Sequence, residues 1–463
     1  MSMETLLKET LVLPEDLNAI GPEKRKLLEN LQGNILKAHG RSHAAHVFIQ
    51  FGDNANRLKE QINKLAQMLT SAFQQEEQTK RWNDSKQDGG CFLSFLLSYS
   101  GYQRLGVRED NIPDDPIFRT GMRSNDETYF RWSQDGWSRQ FGERVDAMVL
   151  AADNDHGRLL ANIELLKSEL TKEALAESFK IHWGSKRVDN KNRPVEWFGF
   201  RDDLGQPRLA TKSGSQEPTP EWNTLAPLNL ALAVEPGGAA CGSYMAFQKL
   251  EQNVKRFRLE MNRLAEQLGG AAVDDVSALA IGRYRDGRPL IATKPARSGE
   301  ERDALNNFNY DNDRDGKRCP FHAHIRKVNP RGEIGCQDYP AQLTTAEERE
   351  LQIIRRGIPY DDRGEDEKRQ NFGEPPESGV GLLFMSYQRE LAQFLAKLWM
   401  AMSDNFVRQR VGPDPLLARG SSGNPQEWRR NGFAVRQRLS DFVTLRGGEY
   451  FFAPSISFLK NLS

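Results

Sequence analysis

The sequence predicts an α+β protein made of two similar units, each a ferredoxin-like βαββαβ arrangement with an antiparallel sheet and helices packed on it. Three observations lead there. Strand-like and helix-like stretches follow the same order in both halves, a stretch rich in Gly and Pro parts them, and 463 residues are too many for one compact unit of ordinary size.

In the first half, residues 45–51 are rich in strand formers, and Leu58, Ile62, Leu65 and Leu69 then recur three or four apart, as on one helix face. Apolar runs at 92–99 and 147–152, a helix at 157–170 and a strand at 179–183 complete the order. The second half offers a strand at 243–250 and a helix marked by Val254, Phe257, Met261, Leu264 and Leu268. Apolar runs at 351–360 and 381–387, a helix at 389–402 and a strand at 450–455 follow. Residues 208–242 are punctuated by Gly, Pro, Ser and Thr, with Gly237-Gly238 just before the second repeat, so the units are set at 1–235 and 236–463. Residues 282–317, charged and Gly-rich, read as a long surface loop.

Composition narrows the function. Apolar residues at 38% and charged residues at 28%, with 24 Phe, 10 Tyr and 8 Trp, describe a globular chain with sizeable cores. Lys plus Arg equals Asp plus Glu at 64 each, so no net field favours nucleic acid or an anionic membrane. Cys91, Cys241, Cys319 and Cys336 lie far apart, which suggests neither a disulfide framework nor a zinc cluster. The first residues lack the pattern of a secretory signal, and no stretch approaches 18 apolar residues; the expectation is a cytoplasmic protein with no membrane span.

The most informative segment is Cys319-Pro320-Phe321-His322-Ala323-His324-Ile325-Arg326-Lys327-Val328-Asn329-Pro330-Arg331. A neutral imidazole nitrogen is a common axial donor to haem iron, and a neighbouring Asn-Pro turn can fix its direction. By itself a histidine is more often an ordinary polar residue. The run, however, resembles the proximal motif of dye-decolourising peroxidases, Cys-Pro-x-x-Ala-His-Ile-Arg-Lys-x-Asn-Pro-Arg, nearly throughout. The resemblance implies haem b as cofactor, His324 as the iron ligand with His322 unused, and Arg326 among the cofactor contacts.

A second segment, Trp197-Phe198-Gly199-Phe200-Arg201-Asp202-Asp203-Leu204-Gly205-Gln206-Pro207, is similar to the family's distal Gly-x-x-Asp-Gly motif. An Asp in a Gly-rich turn commonly bonds its own backbone; the resemblance instead implies Asp202 as the catalytic carboxylate, with Asp203 and Leu204 beside the cofactor. Asp203 replaces the motif's closing Gly, adding bulk and charge, and is expected to point away from the iron or toward solvent. The third segment, Ile353-Ile354-Arg355-Arg356-Gly357-Ile358-Pro359-Tyr360, resembles the run that carries the distal arginine and implies Arg355 in preference to Arg356. Asp441 aligns with a carboxylate placed behind the ligand histidine. Further matches lie at 31–37, 242–250, Gly412-Pro413-Asp414-Pro415 and 447–454, so the likeness spans most of the chain and is to the larger bacterial members.

What this implies is a peroxidase that reduces hydrogen peroxide and draws single electrons from small aromatic, phenolic or dye-like donors, with oligomerisation left open. The competing reading is a haem carrier or sensor that keeps His324 but whose distal pocket is closed by Asp203.

Overall fold

A computed structural model describes residues 2–125, 137, 141, 144–171, 175–213, 221–292, 302–333, 343–406, 409–418 and 423–462. The strands of the first half are β1 (His43–Phe51), β2 (Phe92–Leu97), β3 (Ala147–Asp153) and β4 (Ala176–Ser185). Those of the second are β5 (Cys241–Gln252), β6 (Ile358–Asp361), β7 (Val380–Gln388) and β8 (Val443–Ala453). Helices α1 (Ala55–Ala66) and α2 (His156–Thr171) belong to the first unit, α3 (Val254–Gln267) and α4 (Leu391–Met402) to the second.

Within the first unit the strands lie in the order β4-β1-β3-β2, and within the second β6-β7-β5-β8, so fourth-first-third-second is matched by second-third-first-fourth. Both are the ferredoxin-like arrangement expected from the sequence, and all their pairings are antiparallel. The repeat reaches into local detail. Asn54 caps α1 by accepting from the Arg57 N–H, and Asn253 caps α3 by accepting from the Arg256 N–H.

One sheet runs through both units because β8 pairs with β2 where Phe452 faces Leu97. The sheet curls until its outer strands touch: a Cβ added at Gly184 of β4 would sit 2.4 Å from Ile358 of β6. Phe48, Phe247 and Phe451 fill the enclosed face, with the Phe48 and Phe247 rings 4.8 Å apart. The outer face of the first unit is packed solid by α1 and α2 through Leu58, Ile62, Leu159 and Ile163. On the second unit, α3 and α4 stand over the outer face and leave a cavity.

Several helices have no counterpart in the sequence reading, and two of them show why. Ala72–Ser85 is mostly polar and starts at a Ser71–Gln74 capping box, while Val273–Ile281 is buried along most of its length and shows no amphipathic stripe. The expected surface loop at 282–317 needs correction. Arg283, Leu290, Leu305, Asn306, Phe308, Tyr310 and Asp313 are all buried, because the segment packs beneath the cavity; residues 293–301 lie outside the described set. Among the described residues no helix is long and apolar enough to cross a membrane.

Candidate active site

One wall of the cavity is built by the Cys319–Arg331 segment. The Ala323 N–H donates to the Pro320 carbonyl, closing a turn from which the short helix His324–Val328 starts, with His324 as its first residue. The imidazole lines the cavity, and its Nδ1 lies 2.6 Å from Asp414 Oδ2. Asp414 is fully buried, and its Oδ1 accepts from the Leu416 N–H at 2.8 Å. An ionised carboxylate can only accept, so Nδ1 carries the proton and Nε2 keeps a free lone pair for a metal. His322 is elsewhere: it is buried with its ring 4.4 Å from Trp428, and burial pushes its pKa down to about 3.

Two expectations for this wall fail. Asp441 does not back the ligand histidine; it sits in a left-handed turn (φ 62°), its Oδ2 accepting from Ser440 Oγ at 2.8 Å. The turn at Gly412-Pro413-Asp414-Pro415 delivers Asp414 to that place instead. Arg326 does not reach the cavity either. Its guanidinium is turned into the loop, bonded to Asp313 at 2.9 Å and to Glu333, where two acids offset a wholly buried charge. It ties the histidine segment together from inside.

The opposite wall comes from the Trp197–Pro207 loop. Glu196 accepts from the Phe198 and Phe200 N–H groups at 2.7 and 2.8 Å and so shapes the turn that precedes Asp202. Gly199 has a φ of 93°, and a Cβ there would meet Arg285 at 2.3 Å. Arg355 donates through Nη1 to Asp202 Oδ1 at 2.8 Å and through Nη2 to the Leu204 carbonyl at 2.7 Å, while its own N–H is held by Gln206 at 2.9 Å. Burial raises the Asp202 pKa above the ordinary aspartate value; Arg355 opposes the rise and Asp203 adds to it. Leu204 lines the cavity as expected. Asp203 does not line this cavity: Arg201 holds it at 2.7 Å, and it borders the wider space between the units instead. Arg356 spends its guanidinium on the carbonyls of Asn34 and Ile35, both at 2.9 Å.

Between the walls lies a narrow cavity of about 240 Å3, lined mainly by Phe198, Leu250, Ile281, Leu382, Phe384 and Leu416. Its charged groups suit haem. Arg331 donates only to the carbonyls of Asn306 and Phe308, Arg283 only to Gly287, Leu305 and Asn306, and Lys397 Nζ to nothing among the described residues. An apolar slot edged by buried cations without carboxylate partners fits a flat macrocycle bearing two carboxylates. Asp202 and Arg355 also line a second, wider space of about 1240 Å3 between the units, a vestibule that Lys186, Arg187 and Arg208 border.

A histidine backed by a buried carboxylate on one wall, facing a carboxylate–guanidinium pair on the other, fits a haem peroxidase site. Residues 30–185 match the family described as the DyP dimeric alpha+beta barrel domain. The multifunctional dye peroxidase DyP2 of Amycolatopsis sp. is 32% identical over 95% of this chain and 97% of its own length. The dye-decolorizing peroxidase AauDyP1 of Auricularia auricula-judae is 28% identical over 98% of this chain and 90% of its own. The solved DyP-type peroxidase of Anabaena sp. superposes with a TM-score of 0.87 at 33% identity, covering 100% of both chains. The chain belongs to the dye-decolourising peroxidase family.

Proposed function

We infer that this protein is a haem b peroxidase that reduces hydrogen peroxide and takes single electrons from dye-like or phenolic donors. The observation that carries the reading is the pairing across one cavity of His324 and Asp414 with Asp202 and Arg355. Haem, when bound, would supply the redox chemistry, carrying to the donors the two oxidising equivalents that peroxide brings; the rest falls to the chain's own groups. His324 Nε2 would hold the iron, with Asp414 fixing the tautomer and orientation of the ring.

On the other side, Asp202 Oδ1 is engaged by Arg355, which leaves Oδ2 to take a proton from the inner oxygen of hydrogen peroxide and hand it to the outer one. Hydrogen peroxide, two single electrons from donors and two protons would together give two waters; the first would leave from the outer oxygen, where the fixed charge of Arg355 would stabilise the developing negative charge. Peroxide and donors approach through the vestibule, where Asp202 and Arg355 form part of the floor. The alternative, a haem carrier with a blocked distal side, loses its motive, since Arg201 draws Asp203 out of the cavity.

The matching strand orders support units dividing at 235/236, the cofactor held mainly by the second and Asp202 contributed by the first. A reducing, cytoplasmic setting suits the unpaired Cys91, Cys241 and Cys319. Loading the protein with haem and following peroxide-dependent bleaching of an anthraquinone dye tests the function. Bleaching abolished in Asp202→Asn with haem still bound is the expected result; equal bleaching by that variant refutes the assigned chemistry.

A further inference from the structure

Lys397 stands out among the charged groups of the cavity. It lies on the buried face of α4 beside Phe394, Leu398 and Ala401, where an aliphatic residue would pack without cost. Only 8% of the residue is exposed, and Nζ has no hydrogen-bond partner among the described residues. Glu348 is the acid that favours its charge, yet no salt bridge joins them, and Glu348 Oε2 is taken up by the Gly332 N–H at 2.9 Å. Burial pulls the ammonium down to about 8, so at neutral pH most of it remains charged. An unpaired ammonium against an apolar helix face is unfavourable unless an anion arrives to meet it.

That anion comes from what fills the cavity, because Lys397 lines it together with Arg331, itself bonded among the described residues only to backbone carbonyls. We propose that Lys397 is a carboxylate-binding residue of the haem site: its ammonium receives a propionate of the porphyrin, a task it shares with Arg331. The assignment rests on haem occupying this cavity. It gives α4 a function besides packing, and it explains why its inner face carries a lysine whose ammonium has no partner among the described residues, whereas the buried Gln393 one turn earlier is bonded to backbone carbonyls.

The test uses Lys397→Met, close in volume, with Lys397→Gln as a second variant. In the apo-proteins, removing an uncompensated buried charge raises the melting temperature above that of the native chain. In the haem-loaded proteins, transfer of haem to an apo-globin acceptor becomes faster, on the order of tenfold or more, as loss of a charged hydrogen bond implies. Iron protoporphyrin dimethyl ester supplies the complementary change: esterification weakens binding to the native protein more than to Lys397→Met, because the variant has already lost one partner. Unchanged haem transfer, or equal sensitivity of both proteins to esterification, overturns the proposal. So does an apo Lys397→Met less stable than the native chain, the mark of a structural ion pair with Glu348. A native protein that takes up no haem at all would overturn the haem reading as well, whereas normal native uptake with an unaffected variant overturns only the role of Lys397.

Discussion

The two walls of the cavity carry the same kinds of group to opposite ends. On one, a carboxylate holds a histidine; on the other, a carboxylate is held by an arginine. Asp414 is completely buried, whereas Asp202 and Arg355 retain about a third of their exposure (30% and 31%), opening toward the vestibule. A carboxylate that must only orient a ring is sealed and saturated with hydrogen bonds. One that must give and take a proton keeps an oxygen open to arriving reactant. Burial therefore separates the two carboxylates, Asp414 and Asp202, more sharply than residue type does.

The contrast predicts a graded set of losses. His324→Ala removes the iron ligand and should lower haem affinity by on the order of a hundredfold or more, read from a haem titration. His322→Ala should leave the haem spectrum unchanged, since its ring lies against Trp428; equal loss in both would reverse the assignment. On the reacting wall, Asp202→Asn should retain haem while slowing the stopped-flow reaction with peroxide by roughly 10²–10⁴. Arg355→Leu should cost about 10²–10³ in the same measurement, again with haem in place. If Arg356→Leu alone produced that loss in a folded protein, the charge would belong to Arg356.

Behind the anchor, Asp414→Asn should weaken haem retention by about tenfold, whereas Asp441→Asn should leave it as it is. The opposite outcome would restore Asp441 to the role the motif suggested. The smallest effect belongs to Asp203→Gly. Asp202 reacts as its anion, so the rate falls as pH drops through its pKa, which burial and Asp203 hold above the ordinary value. Removing the neighbouring negative charge eases ionisation and should move this acid limb to lower pH, only slightly because Arg201 already offsets Asp203. A pH–rate profile unmoved by the change would show that Asp203 does not act on the catalytic carboxylate.

What was legible in the sequence follows the same division. His324, Asp202 and Arg355 lie in long contiguous motifs, and the succession of strands and helices in both units could be traced along the chain from apolar spacing. Groups whose direction is set by their hydrogen-bond partners and not by their motif were misread. Asp441 and Arg326 sit in or near the right motifs, yet local hydrogen bonds turn them aside, to Ser440 for one and to Asp313 and Glu333 for the other. Asp414 was in view as part of a Pro-flanked turn, but only the folded chain shows that this turn ends against a histidine ninety residues earlier. The 282–317 segment looked like surface because it is charged; Arg283 and Asn306 are buried because each finds its partner in the other.

The seam at β8 bears on how the protein is made. Val443–Ala453 pairs along β5 of its own unit and, through Phe452, with β2 of the other, so the strand that unites the sheet is the last of the eight to leave the ribosome. Until it emerges, β2 and β5 each present an unsatisfied edge, the kind of surface that recruits other chains. Contacts joining residue 97 to residue 452 also demand a long loop closure late in folding, which slows the final step. Yield of soluble protein in expression should depend on temperature and chaperone supply more than the stability of the finished fold would suggest.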